Sequence, residues 1–324
     1  MILRLLVREW ATLEPLEDLG LWTLPDRARQ ALVRYLDVYH EGDVSLGDLK
    51  AVLGPSEEGA GASEANAYFT HLHVPSALLT TSTFPSLLSF LFPKPSETGT
   101  PSELQDSWEA ADTTPTPARA LLPALTHLSL ARDPSCTDAS TPPPSWRHLL
   151  QLARKQPGLT HLSLAFWPEP MRTPNAKFAS VVGPQGNAVQ YGGTGFYSHS
   201  LDQDWSEAVN ILRTLSKRLY QLEYLDLTGC GAWFPALMMS AEAVDSEDGV
   251  VGGAGVDWAG DWAKVVVVRM GSGVRVTGEE GERDKEKLRA GIEMAGAVER
   301  HVTAQRAGTG RVITVERDDP YTLR

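Results

Sequence analysis

Apolar and polar positions along this chain repeat in a recognisable way. Leu125-Thr-His-Leu-Ser-Leu-Ala131 returns letter for letter as Leu159-Thr-His-Leu-Ser-Leu-Ala165, and Leu222-Glu-Tyr-Leu-Asp-Leu-Thr228 keeps the same apolar places. Looser versions are Phe69-Thr-His-Leu-His-Val74 and Trp262-Ala-Lys-Val-Val-Val-Val268. The closing apolar residues alternate at period 2, as a half-buried strand requires, and the first anchors the turn that leads into it. Two identical heptapeptides in one chain are not credible as coincidence.

The intervening stretches have helical spacing. Thr83–Phe92 is apolar, with Pro85 near its start and Pro93 just past its end. Trp146–Lys155 carries Trp146, Leu149, Leu150 and Leu152, and Trp205–Leu219 puts Val209, Leu212, Leu215 and Leu219 on one helical face. Pro235–Val244 and Asp284–Gln305 continue the series, and Arg311–Glu316 reads as a last strand. Strands joined by long helical connections predict an α/β fold, a parallel sheet with flanking helices. Residues 1–55 read instead as a separate helical cap. Met1–Trp10 places Leu3, Leu6, Val7 and Trp10 on one face, and Thr23-Leu-Pro-Asp26 opens a helix carrying Leu32, Val33, Leu36 and Val38. Within the remaining domain, 56–324, two insertions are expected to be disordered: Pro93–Pro117, rich in Pro, Ser, Thr and acids, and the acidic, Gly-rich Asp245–Gly255.

The frame Leu222-x-x-Leu225-x-Leu227-x-x-Cys230 resembles the leucine-rich repeat, L-x-x-L-x-L-x-x-N/C. The resemblance implies an irregular solenoid of about five or six units in which Cys230 sits inside the turn and serves buried backbone. Asp133 and Trp167 stand at the equivalent place in the two earlier units. Successive frames start 56, 34, 63 and 40 residues apart, against ~20–29 in that family, so these would be degenerate repeats with long insertions. Leu159 to Leu237 is similar to an uncharacterised group of fungal proteins, some catalogued as tafazzin. Leu24-Pro25 followed by Leu32-Val33-Arg34-Tyr35-Leu36 is similar to the opening of an F-box, which implies docking to a ubiquitin-ligase adaptor; Ala28-Arg29 departs from that pattern.

Composition narrows the partners. The chain has 324 residues, 42% of them apolar, enough for a sizeable core, and a formal net charge of −12. It lacks the Lys/Arg-rich runs that neutralise nucleic-acid phosphates. Two cysteines, Cys136 and Cys230, make neither a disulfide framework nor a four-cysteine zinc site, which points to a reducing, intracellular compartment, cytoplasmic or nuclear. Mitochondrial targeting by Met1–Trp10 is the less favoured reading. No stretch reaches the ~20 continuous apolar residues of a membrane span.

One motif has catalytic form. His199-Ser-Leu-Asp-Gln-Asp204 fits the H-x-x-x-x-D signature of glycerolipid acyltransferases, the family of true tafazzins, which implies His199 as base and Asp204 as its orienter. No apolar strand precedes it and no Pro-Glu-Gly block follows. Asp204 reads more simply as the N-cap of the Trp205 helix, with Glu207 completing a capping box. Gly192-Gly193-x-Gly195 and Gly252-Gly253-x-Gly255 lack the strand and the lysine of a phosphate cradle. His127 and His161 share one place in two units and could face each other, but no third ligand is spaced to join them; they read as exposed strand residues, with no metal or cofactor implied. The insertion Pro174–Asp204 is of another kind. Phe178–Val182 and Asn187–Tyr191 flank Gly183-Pro-Gln-Gly186 as a hairpin, and Tyr191, Phe196, Tyr197, His199 and Trp205 follow. Long aromatic loops favour binding, and the equal alternative is a lid folded over the core of the solenoid itself. The chain therefore reads as a non-catalytic protein–protein interaction scaffold, using that loop and the strand positions Ser129, Ser163 and Asp226; an F-box-like adaptor and an acyltransferase are the alternatives.

Overall fold

The structure, a computed structural model, describes residues 2–13, 16–40, 42, 44–54, 66–80, 82–93, 120–134, 143–171, 180–182, 188–190, 205–239, 255–274 and 281–319. The expected disordered insertions lie almost entirely outside them. Eight helices and eight strands are seen among these residues. In chain order they are α1 (Ile2–Arg8), α2 (Asp26–Tyr39), α3 (Leu46–Leu53), β1 (His71–His73), α4 (Phe84–Leu91), β2 (His127–Ser129), α5 (Trp146–Lys155), β3 (His161–Ser163), β4 (Ser180–Val182) and β5 (Ala188–Gln190). Then come α6 (Ser206–Arg218), β6 (Tyr224–Asp226), α7 (Pro235–Met238), β7 (Val267–Arg269), α8 (Gly281–Arg306) and β8 (Thr314–Glu316). None of the helices is long and apolar enough to cross a membrane. The chain divides into two compact units, Met1–Leu72 with Ser82–Leu125, and His73–Thr81 with Thr126–Arg324.

In the first unit α1 packs on α2 and α2 on α3. Val7, Trp10, Leu32, Val33, Leu36, Leu49, Val52 and Leu53 are buried, whereas Val38 faces solvent, one step off the apolar stripe. Ser45 starts α3 with a capping box: its hydroxyl accepts from Asp48 N, and the Asp48 carboxylate accepts from Ser45 N. Arg29, the residue that departs from the F-box pattern, is fully buried. Its guanidinium donates to Asp26 and to Asn66 Oδ1, and the Asn66 amide donates in turn to Leu53 O. A buried cation survives here because each contact is a charge-assisted bond.

The expected strands pair as a six-stranded sheet in the order β1-β2-β3-β6-β7-β8, and β2 through β8 run parallel. The twin heptapeptides lie side by side, His127 against His161, Leu128 against Leu162 and Ser129 against Ser163. β6 follows with Leu225 beside Leu162. The frame at β7 is not the expected one. Val268, not Val265, stands beside Leu225, so the unit reads Val265-x-x-Val268-x-Met270, three residues later than the Trp262 frame. On the buried side Leu128, Leu130, Leu162, Leu164, Leu225, Leu227, Val268 and Met270 meet the inner faces of the helices. Those helices stack in the same order as the strands, α5 on α6, α6 on α7 and α7 on α8.

Inside the turns that follow the strands, large polar-tipped side chains supply hydrogen bonds to backbone. Trp167 Nε1 donates to Leu130 O (2.5 Å), and one unit later Cys230 Sγ donates to Leu164 O (3.2 Å). Both are eight residues past the first apolar residue of their unit, and both reach the same carbonyl of the unit before. Trp233 Nε1 adds a bond to Trp167 O (3.2 Å), and Trp146 packs edge-on against both Trp167 and Trp233. The expected hairpin is present as the antiparallel pair β4–β5, Val181 opposite Val189.

Candidate functional site, the open face of the parallel sheet

Each of β2, β3 and β6 buries its middle residue and leaves the outer two half-buried, so among the described residues the sheet has one face in the core and one more open face. Parallel register repeats these outer side chains in two rows. The first row holds His127, His161 and Tyr224. Their rings stack: the His127 and His161 centroids lie 3.9 Å apart with planes 16° from parallel, and Tyr224 follows at 5.6 Å and 19°. A threonine precedes each histidine and orients it. Thr126 Oγ1 lies 2.8 Å from His127 Nδ1, and Thr160 Oγ1 lies 2.9 Å from His161 Nδ1. The Thr160 hydroxyl gives its proton to Thr126 O. Both stacked histidines are half-buried, where exposed strand residues were expected.

The second row holds Ser129, Ser163, Asp226, Arg269 and Glu316. Ser129 Oγ meets His73 Nδ1 at 3.0 Å. The Ser163 hydroxyl donates to Asp226 Oδ2 (2.8 Å), while Asp226 Oδ1 accepts from the amide and hydroxyl of Thr228 (3.0 and 2.7 Å). Arg269 bonds Tyr224 and lies in the field of Asp226 and Glu316, and its ionisation is raised, first by the Tyr224 bond. The Tyr224 hydroxyl titrates above its ordinary range, chiefly because burial disfavours the phenolate and then because Asp226 repels it. These side chains thus hold one another in place, and the face they make is ring-lined and rich in hydrogen-bonding groups.

The residues expected to bind separate into three sets. Ser129, Ser163 and Asp226 do share the open face, in register. Trp205 does not belong to a surface: it is 6% exposed and takes the N-cap place of α6, one residue later than expected and with no side-chain cap. The indole is drawn into the core ahead of the apolar stripe of that helix. Tyr191, Phe196, Tyr197, His199 and Asp204 lie outside the described residues, as do both Gly-rich motifs save Gly255. The H-x-x-x-x-D pair is thus not placed. Tyr224 and Arg269 were missed, although Tyr224 occupies the histidine place of its frame, which was the available signal. Among the described residues no three His, Cys, Asp or Glu side chains are grouped to hold a metal ion. Cys230 is enclosed, its thiol pushed up to about 12 by burial, which makes it a structural hydrogen-bond donor and not a nucleophile. No protein-family model, curated protein or solved structure matches the chain.

Proposed function

We propose that this protein is a recognition scaffold of leucine-rich-repeat-like construction that lays an extended segment of another protein along the open face of its sheet. The carrying observation is the in-register stack of His127, His161 and Tyr224 beside the row Ser129, Ser163 and Asp226. Flat rings offer contact area at low entropic cost, and pre-bonded hydroxyls and carboxylates need little ordering when a partner arrives. The repeat-like reading is supported by the Trp167 and Cys230 bonds to equivalent carbonyls one unit back, the role the resemblance assigns to the ninth position of the frame. The repeat reading makes the face a natural docking surface, because stacked units extend it continuously.

The test is a peptide-display selection on the full chain, followed by binding of the selected peptides to Ser163→Arg and Tyr224→Ala variants. A bulky cation at Ser163 should weaken binding about tenfold or more, the weight of one well-placed contact. Tyr224→Ala should weaken it as well, by removing one ring of the stack. Peptides that bind both variants as well as the parent would show that recognition happens elsewhere.

A further inference from the structure

Among the described residues β8 is the last strand of the sheet, and its outer edge has a definite chemistry. Thr314 and Glu316 turn their main-chain groups toward β7, Thr314 N donating to Val266 O (2.8 Å) and Glu316 O accepting from Met270 N (2.7 Å). Alternate residues of a strand direct their amides and carbonyls to opposite edges. Ile313, Val315 and Arg317 therefore point theirs outward, and these groups bond to no described residue. Natural edges are blunted by proline, bulges or charged side chains, lysine above all; residues 311–319 contain no Pro, Gly or Lys, and their charges, Arg311, Glu316, Arg317, Asp318 and Asp319, are of both signs. The one long side chain on the core-facing side of that edge is drawn off it: Arg317 pairs with Glu299 of α8 (3.2 Å) and lies over Gly296. Beside the edge, Val312 is 81% exposed.

We infer that this edge is a self-association surface on which β8 of a second copy adds antiparallel, continuing the sheet across a two-fold axis. The residue pattern and the start of the strand together select the register: an axis centred on Ile313 would set Glu316 against Gly310, whose φ of +71° breaks the extended backbone. Outward-facing residues must meet outward-facing residues, which leaves few alignments. Centring the axis on Thr314 sets Arg311 against Arg317 of the other copy. Centring it on Glu316 sets that carboxylate against its own counterpart. Like charges opposed in this way are destabilising. Centring it on Val315 opposes no like charges: Val315 faces itself, Ile313 faces Arg317, and Thr314 faces Glu316, a hydroxyl donor against a carboxylate. Each of the three outward residues then exchanges both of its main-chain bonds. Each chain carries −12, so the bodies repel while the contact itself is mostly main-chain. Added salt, by screening that repulsion, should tighten the association.

Sedimentation velocity on the full chain, from about 5 to 500 μM, spans the range expected for a small contact of this kind. Val315→Pro removes one outward amide without touching a bond to β7, an arrangement edge strands tolerate. It should abolish the dimer while circular dichroism stays native. Thr314→Arg places a guanidinium opposite Glu316 of the other copy and should tighten the dimer about threefold or more. A chain that remains monomeric throughout overturns the inference. So does a dimer that Val315→Pro leaves intact, or one that Thr314→Arg fails to strengthen.

Discussion

At the scale of single residues, the turn beyond β6 shows how an enclosed thiol serves the backbone of a neighbouring strand turn. Cys230 is 1% exposed and its Sγ also lies 3.6 Å from Trp167 O. Burial is the leading cause of its raised ionisation; the Trp167 backbone bond opposes it, and the Asp226 charge adds to it. The folded chain therefore keeps the thiol proton up to about pH 12, whereas the unfolded chain releases it near the ordinary value of 9.0. Between those values the unfolded state binds fewer protons, so the contribution is intact below pH 9 and is lost as pH rises toward 12. Urea unfolding at pH 8, 9 and 10 should show the parent losing stability faster than Cys230→Ala, which has no such proton to lose. Parallel pH profiles for the two would mean that the thiol is not held as described. The neighbouring Gly229 is fixed by a different constraint. Its φ is +76° and a Cβ there would fall 2.3 Å from the Phe166 ring, which also lies over Gly273. Phe166 itself adopts φ +59°, a conformation a bulky residue holds only when packing enforces it.

At the scale of elements, the sequence was most legible where it repeats. Identical heptapeptides must occupy equivalent places, so β2, β3 and their pairing followed from letters alone, and Leu222–Thr228 joined them by its apolar frame. Period 2 failed at β7 for a physical reason. Val265-Val-Val-Val268 is apolar at every position, and a run without alternation cannot choose its own frame; the bonds of Val266 and Val267 to Glu223 O do that. Trp205 was misread because an aromatic at the end of a loop looks the same whether it faces solvent or core. The α8 terminus was legible as a helix end but not in its packing. Arg306, in the last turn, is 4% exposed and donates to three carbonyls, Trp258 O (2.9 Å), Val265 O (2.7 Å) and Trp262 O (2.6 Å), tying the helix to the turn ahead of β7. Replacing it by methionine keeps the aliphatic stem and strands those carbonyls, at a cost of about 3 kcal/mol. Arg306→Lys, which cannot span all three, should fall between parent and methionine in urea unfolding. A methionine variant as stable as the parent would show that the clamp contributes nothing.

At the scale of the whole molecule, the parallel sheet sets each inner strand between two neighbours. Among the described residues β3 and β6 have paired strands on both edges, while β8 has β7 on one side. Their middle residues differ accordingly: Leu162 and Leu225 are 0% and 1% exposed, and Val315 is 9% exposed. In stacked architectures stability is shared between neighbouring units, so an interior defect removes two interfaces and a terminal one removes only one. Amide exchange should therefore be slowest at Leu162 and Leu225 and faster along 314–316, with a gradient across β7. Truncation should follow the same order. Leu162→Ala leaves a cavity enclosed on every side and should cost about 2–5 kcal/mol, while Val315→Ala at the rim should cost about 1 kcal/mol, since the site can relax into solvent. These comparisons belong at protein concentrations low enough that edge pairing does not protect β8. Equal protection and equal cost at the two positions would mean that the sheet opens as one body rather than from its end. In that case the open face would be as rigid at Glu316 as at Ser163, and a partner would find no softer end at which to enter.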